Sequence, residues 1–151
     1  MGAAIIQPPA FQRPSGKLVL NTYQPNLVNN TWTLVLLDLI PAGFTDGIEN
    51  TVAHTITPDR SGFYAITAQV VFDNAVATKH YACQVKAAAA VILSGKAHSS
   101  FATTLFVLCS LPCQYLVAGV ALTLEAKSDS GDNTVDISNT IGTHLTIQRV
   151  R

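Results

Sequence analysis

One stretch of the sequence, TPDRSGFYAITAQVVF at residues 57–72, limits the possible folds more than any other. After turn-forming residues it alternates with a period of two, which is the period of a β-strand and not of a helix. The residues on one face are Tyr64, Ile66, Ala68, Val70 and Phe72. The opposite face would normally meet water, yet it carries Phe63, Ala65 and Val71. The sequence therefore predicts a strand whose second face is also covered by something.

The composition raises the same question for the whole surface. The chain has 151 residues, which suits one domain with its own core. Charged residues make up 12% of it, about half of the roughly 25% usual for a soluble domain. A lone globule of this size would expose roughly 7,000 Å² of surface. We interpret the low charge in two ways: the surface is rich in neutral polar groups, or much of it is hidden against other copies.

Further segments also indicate strands rather than helices. The candidates are TWTLVLLDLI at 31–40, NTVAHTIT at 50–57, KHYACQVK at 79–86, FATTLFVLCSL at 101–111, VALTLEA at 120–126 and THLTIQRV at 143–150. The alanine-rich run VKAAAAVILS, residues 85–94, leaves a helix open as an alternative because alanine favours helices. Many short strands predict an all-β antiparallel sandwich or jelly roll.

The first 20 residues have a different character. They contain three of the seven prolines, and we predict that residues 1–20 form an extended N-terminal arm before a domain at 21–151. The arm residues proposed to attach the protein to something else are Ile5, Ile6, Pro8, Pro9 and Phe11. A leader without a role is the alternative.

The sequence offers little for catalysis or for metal binding. The net charge of zero gives no basic footprint for nucleic acid, and no apolar run approaches the roughly 20 residues of a membrane helix. The start of the chain also lacks the pattern of a signal peptide. None of the four histidines sits at ligand spacing with another, although His80 could meet its copies on a threefold axis. We predict no catalytic, cofactor or metal site, and we expect the protein not to be an enzyme.

The three cysteines, Cys83, Cys109 and Cys113, give an odd count. Along an extended strand, Cys109 and Cys113 would lie roughly 13 Å apart, beyond disulfide reach unless a tight turn forms at Pro112. We interpret all three as small buried hydrophobic residues.

Four segments, in order, resemble the complement C1q / tumour necrosis factor jelly-roll superfamily. In ITPDRSGFYAITAQVVF the matching residues are Ile56, Gly62, Tyr64 and Ile66, with Ile66 in the place of an aromatic residue. YLVAGVALTLEA resembles a turn and strand of the family, with Val120 where Asp is common, and GTHLTIQRV resembles the last strand. NNTWTLVLLDLIPAGFTDG resembles the opening of microbial and phage members. Lys86-Ala87 replaces a frequent Asn-Gly turn, so we expect a remodelled loop there.

The resemblance implies a homotrimer in which one sheet face of each jelly roll packs around a threefold axis. This would explain the apolar second face, whereas the alternative is that loops of the same chain cover it. The core and trimer-interface candidates are Trp32, Phe63, Tyr64, Ile66, Val71, Tyr81, Tyr115 and Leu145.

Two functions are compatible with these features. The first is a structural protein on a phage virion surface, made in the host cytoplasm, which decorates the capsid or forms a fibre. Its partners would be copies of itself and other virion proteins. The second is a bacterial surface or secreted module that binds a protein or a glycan. Both hypotheses expect no nucleic-acid partner and no membrane insertion.

Overall fold

The computed structural model describes residues 15–44, 46–101, 103–139 and 142–150. Within these ranges the chain forms eleven β-strands, and no helix long and apolar enough to cross a membrane occurs among them. The strands are β1 (Ser15–Val19), β2 (Thr33–Leu34), β3 (Glu49–Asn50), β4 (Thr55–Ile56), β5 (Gly62–Ala75), β6 (His80–Ala87), β7 (Ala90–His98), β8 (Thr103–Leu116), β9 (Leu122–Ser128), β10 (Asp136–Ile137) and β11 (His144–Arg149). The fold is all-β, as predicted.

The strands form two antiparallel sheets. The first sheet runs in the order β1-β11-β5-β8, with β10 pairing the end of β5. The second sheet runs in the order β3-β4-β9-β6-β7, with β2 pairing β9. Neighbours in the sheets are mostly distant in sequence, as in a jelly roll rather than a meander of hairpins.

The core lies between the two sheets and follows the predicted alternation. Tyr64, Ile66 and Leu145 of the first sheet are at most 1% exposed. From the second sheet Tyr81 enters the same core, where its ring centroid lies 5.1 Å from that of Phe72. These contacts bury the face of β5 on which Tyr64 and Phe72 lie, as its period of two predicts.

The alanine-rich run forms a hairpin and not the alternative helix. Ala87 pairs with Ala90 at the end of β6 and the start of β7. The turn between them places Ala88 at a φ of 51°, a left-handed conformation that glycine or asparagine adopts more readily. The strands override the helix propensity because β6 lies between β7 and β9 and pairs with both of them along almost its whole length.

The predicted boundary at residue 20 is too late. Residues 15–19 form β1, which pairs with β11 and places Leu18 opposite Leu145. Leu18 is fully buried and Leu20 is 3% exposed, so both leucines belong to the core. The prolines predict an extended arm, but the alternating residues 15–19 that follow them form a strand. Ile5, Ile6, Pro8, Pro9 and Phe11 lie outside the described residues.

Two other predicted strands differ in length. The segment 31–40 keeps only the two residues of β2 as strand, because Leu37 N–H donates to the nearby Val35 carbonyl and turns the chain away from β9. Conversely, β8 continues through Pro112 as far as Leu116. The pairing with β5 is irregular at this point, and such a bulge accommodates a proline, which has no N–H to donate.

Candidate functional site

The outer face of the first sheet carries a group of exposed apolar side chains. We call these residues the apolar face: Phe63, Phe106, Leu108, Tyr115 and Val117, which are 41–59% exposed. Phe63 of β5 pairs directly with Tyr115 of β8, and their ring centroids lie 5.4 Å apart. Leu108 pairs with Gln69, and Phe106 pairs with Val71, so the apolar face extends along both strands.

The positions of β5 and β11 beside these side chains carry no formal charge, whereas Lys17 on β1 lies one strand further away, in the row of Thr146. Between Phe63 and Val71, the other outward positions of β5 are Ala65, Thr67 and Gln69. The neighbouring strand β11 contributes His144, Thr146 and Gln148 in the register of these residues. An uncharged surface of this kind can be covered by another protein at little desolvation cost.

The predicted core and interface residues lie in two different environments in the structure. Phe63 and Tyr115 lie on the apolar face, whereas Tyr64, Ile66, Tyr81 and Leu145 are buried between the sheets. Val71 has outward parity but is fully buried within the chain, and its N–H donates to Thr143 Oγ1 over 3.0 Å. At this end of β5 the chain covers its own second face, which is the alternative considered from the sequence.

Trp32 is not a core residue and does not lie on the apolar face. It precedes β2 on the second sheet, is 38% exposed and forms the wall of a groove of about 540 Å³. We call this site the Trp32 groove; it is lined by Asn30, Trp32, His80, Tyr81, Ala82, Lys96, Lys127 and Asp129. Trp32 lies outside the core because it precedes β2, the outermost element beside β9, and its side chain lines the groove on the outer surface of the sheet.

The sheet register explains the shape of the Trp32 groove. Ala82 on β6 pairs with Lys127 on β9 at one side and with Lys96 on β7 at the other. These three residues therefore share one row on the outer face, and the small alanine leaves space between two long side chains. Lys127 Nζ lies 5.9 Å from the centroid of the Trp32 ring.

A second polar cluster has its hydrogen bonds satisfied within the chain. The Asp136 carboxylate accepts hydrogen bonds from Tyr23 Oη, from Asn74 Nδ2 at 2.7 Å and from the Asn26 N–H at 2.8 Å. The hydrogen bond with Asp136 raises the pKa of Tyr23 to about 12. This cluster ties the segment before β2 to β5 and β10, and we assign it a structural role.

Within the described residues, no group of three or more His, Cys, Asp or Glu side chains has the geometry of a metal site. His80 and His98 pair across β6 and β7 with ring centroids 4.9 Å apart, but no carboxylate or thiol joins them as a third ligand in this part of the chain.

Comparison with known proteins supports the architecture. No sequence-family model matches the chain, and no curated protein sequence matches it. Among solved structures, the Eiger TNF of S. frugiperda superposes with a TM-score of 0.70 at 9% identity, over 93% of this chain and 94% of that chain. The globular domain of zebrafish complement 1qA gives a TM-score of 0.64 at 12% identity, over 91% of this chain and 98% of that chain. Murine APRIL gives a TM-score of 0.61 at 13% identity, over 92% of this chain and 100% of that chain.

The chain has a C1q/TNF-like jelly-roll fold. The resemblance found from sequence motifs is confirmed at the level of the fold.

Within this C1q/TNF-like jelly roll, the motif around Val120 forms the expected turn and strand. Val120 N–H donates to the Val117 carbonyl, and Gly119 N–H donates to the Pro58 carbonyl over 2.8 Å. Strand β9 then begins at Leu122. The apolar face and the Trp32 groove lie on opposite outer surfaces of the sandwich, so one can be occupied without blocking the other.

Proposed function

We propose that the protein is a non-enzymatic structural and binding module that works as a homotrimer through the apolar face. The observation that carries this proposal is the exposure of Phe63, Phe106, Leu108 and Tyr115 beside uncharged outward positions of β5 and β11. Contiguous apolar surface of this kind marks protein interaction sites. A closed symmetric assembly would use the same surface on each copy.

The energetics are compatible with a stable trimer. Burying apolar surface contributes about 25 cal/mol per Å², so a few hundred Å² per subunit gives several kcal/mol. Association must then offset the loss of translational and rotational freedom. The uncharged outer positions of β5 and β11 reduce the desolvation cost that a charged face would add.

A pair of matched variants tests this use of the apolar face. Leu108→Lys places a charge in the apolar face, whereas Val91→Lys places one on the second sheet, at a side chain of similar exposure (59% and 53%). In sedimentation velocity, we expect Leu108→Lys to sediment as a monomer and Val91→Lys to sediment with the wild type. Equal sedimentation of all three proteins would refute the proposed interface.

We propose that the protein is made in the host cytoplasm and becomes part of the surface of a phage virion. The support is the proline-rich first segment, the resemblance of residues 29–47 to microbial and phage members, and the low charge. Purified protein should then bind undecorated capsids of the cognate phage in multiples of three copies. Absence of uptake by such capsids would count against this setting while leaving the trimer intact.

The second candidate is a bacterial surface or secreted module that recognises a protein or glycan. The Trp32 groove favours it, because an exposed aromatic ring beside polar groups is a common arrangement in ligand sites. Saturable glycan binding together with no capsid binding would select this candidate.

A further inference from the structure

The Trp32 groove contains two cationic side chains, Lys96 and Lys127. Within the described ranges, neither Lys96 nor Lys127 forms an ion pair, whereas Lys86 on the same face lies 3.2 Å from Glu125. Glu125 also accepts a hydrogen bond from Gln84 Nε2 over 2.6 Å, which further engages this carboxylate. The groove therefore presents two ammonium groups to a ligand.

The spacing of the two lysines suits a ligand in which a small anionic group is attached to a larger uncharged part. Their backbones are two strand spacings apart, roughly 10 Å, with Ala82 as the floor between them. A second depression of about 310 Å³ shares Trp32, Ala82 and Lys96 and continues toward Gln84 and Ser94. The site is thus elongated along the strands and has room for more than one ring-sized unit.

Trp32 supplies an aromatic surface at the wall of this groove. The face of an indole ring carries negative electrostatic potential, which attracts the weakly positive C–H groups on the flat side of a sugar ring. Lys127 already lies near this ring, so a bound sugar would contact the indole and the ammonium group together. The exposed part of the Trp32 side chain is therefore placed to stack on a ligand.

The remaining polar groups distinguish between classes of anion. Asp129 lines the groove beside His80 and Asn30, and its carboxylate can only accept hydrogen bonds when ionised. The hydroxyl groups of a saccharide can donate hydrogen bonds to this carboxylate, whereas a fully ionised polyphosphate has no donor to offer it. Asn30 can both donate and accept, which also suits a hydroxyl-rich ligand.

We propose that the Trp32 groove binds a carboxylated saccharide, such as a sialic or uronic acid unit. The carboxylate lies between Lys96 and Lys127, the ring stacks on Trp32, and hydroxyl groups reach Asp129 and Asn30. The site is complete within one chain and does not depend on the trimer; the proposal rests on the second candidate function, the recognition of a glycan, and names the class of saccharide.

Trp32 is the single tryptophan of the chain, so intrinsic fluorescence reports directly on this site. We would titrate the full-length protein with sialyllactose and with a glucuronic acid-terminated oligosaccharide, using lactose and the glucose-terminated counterpart as neutral controls. The expected result is a saturable change in tryptophan emission with at least one acidic saccharide and about tenfold weaker binding of its neutral counterpart.

Three variants locate the binding. Lys96→Gln and Lys127→Gln should each weaken the binding of the acidic saccharide by about tenfold, whereas Lys86→Gln, on the same face, should leave it unchanged. All three substitutions are at surface side chains, and melting curves would show that each variant folds. No saturable emission change with either acidic saccharide, equal binding of the neutral counterparts, or an equal response to inorganic phosphate would overturn the proposal.

Discussion

At the scale of single residues, Cys83 and Cys109 meet inside the sandwich. Their sulfur atoms are 3.5 Å apart, one from each sheet, and both side chains are buried. The hydrogen bond with Cys109, together with burial, raises the pKa of Cys83. The same hydrogen bond lowers the pKa of Cys109, so the low reactivity that we expect of the pair rests on the burial of both side chains, which keeps reagents away from them. The interpretation of these two cysteines as buried hydrophobic residues is consistent with the structure, whereas Cys113 is exposed.

A thiol reagent tests this difference. In a Cys113→Ser variant, we expect the native protein to react with DTNB only at the rate of global opening, because both remaining thiols are buried. The same variant should release colour from two thiols at once in denaturant. Rapid labelling of the native variant would show that the sheets do not enclose this pair.

His144 gives a pH-dependent prediction. Burial on the sheet lowers the pKa of His144, although the Gly142 carbonyl, 2.6 Å from Nδ1, opposes this effect and nearby Lys17 adds to it. A lowered pKa in the folded state means that the unfolded chain takes up the proton first as the pH falls. The free energy of unfolding should therefore decrease below about pH 6.5, and it should be unaffected by this group above that pH.

His144→Gln keeps a polar side chain at this position and removes the titrating ring. Denaturant unfolding at fixed protein concentration, from about pH 7.5 to pH 5, should show a smaller loss of stability for His144→Gln than for the wild type. Parallel curves for the two proteins would contradict the assignment.

At the scale of elements, β7 and β8 approach each other closely at Gly95. A Cβ atom at this position would lie 2.7 Å from the Leu108 carbonyl oxygen and 3.1 Å from Cys109 Cβ. The backbone oxygen cannot move aside without disturbing the β5–β8 ladder. Gly95→Ala should therefore destabilise the protein by about 1–3 kcal/mol. This is the opposite of the usual effect, because alanine inside a strand is normally more stable than glycine.

The neighbouring exposed residue provides the control for this element. Ser94→Ala should change the free energy of unfolding by less than about 0.5 kcal/mol, as expected for a surface position. Thermal or denaturant unfolding of both variants measures the contrast. A Gly95→Ala protein as stable as Ser94→Ala would contradict the close approach of β7 and β8 at this position.

Truncation tests the corrected boundary of the domain. Deletion of residues 2–14 leaves β1 in place, and we expect it to keep the melting temperature within a few degrees of the wild type. Deletion of residues 2–20 removes β1 with the buried Leu18 and Leu20, each worth about 2–5 kcal/mol, and should prevent folding. The shorter deletion should abolish capsid attachment if the first segment is the attachment arm, and unfolding by that deletion would contradict the boundary.

The elements also show what the sequence could and could not predict. The long strands β5, β6, β9 and β11 follow an alternation that the sequence displays, because each buries one face against the other sheet. The strand β1 and the short β2 depend on partners far along the chain, and their sequences alone gave wrong boundaries. The Trp32 groove was missed because its residues lie on four strands or strand ends, and only the register brings Ala82 between two lysines.

At the scale of the whole molecule, the low charge and the apolar face have one explanation in common. The outward positions of β5 and β11 beside the apolar face carry no formal charge, and five large apolar side chains remain exposed there. A single chain covers Val71 at one end of β5 but leaves Phe63 uncovered at the other. We infer that further copies of the chain cover the rest, and that the Trp32 groove on the opposite sheet stays open to a ligand.

Sedimentation equilibrium of the wild-type protein at micromolar concentration tests this account most directly. The account predicts a single species with three times the chain mass of 16.0 kDa. A well-behaved monomer over the whole concentration range would contradict it, because the apolar face would then be exposed to water with no copy to cover it.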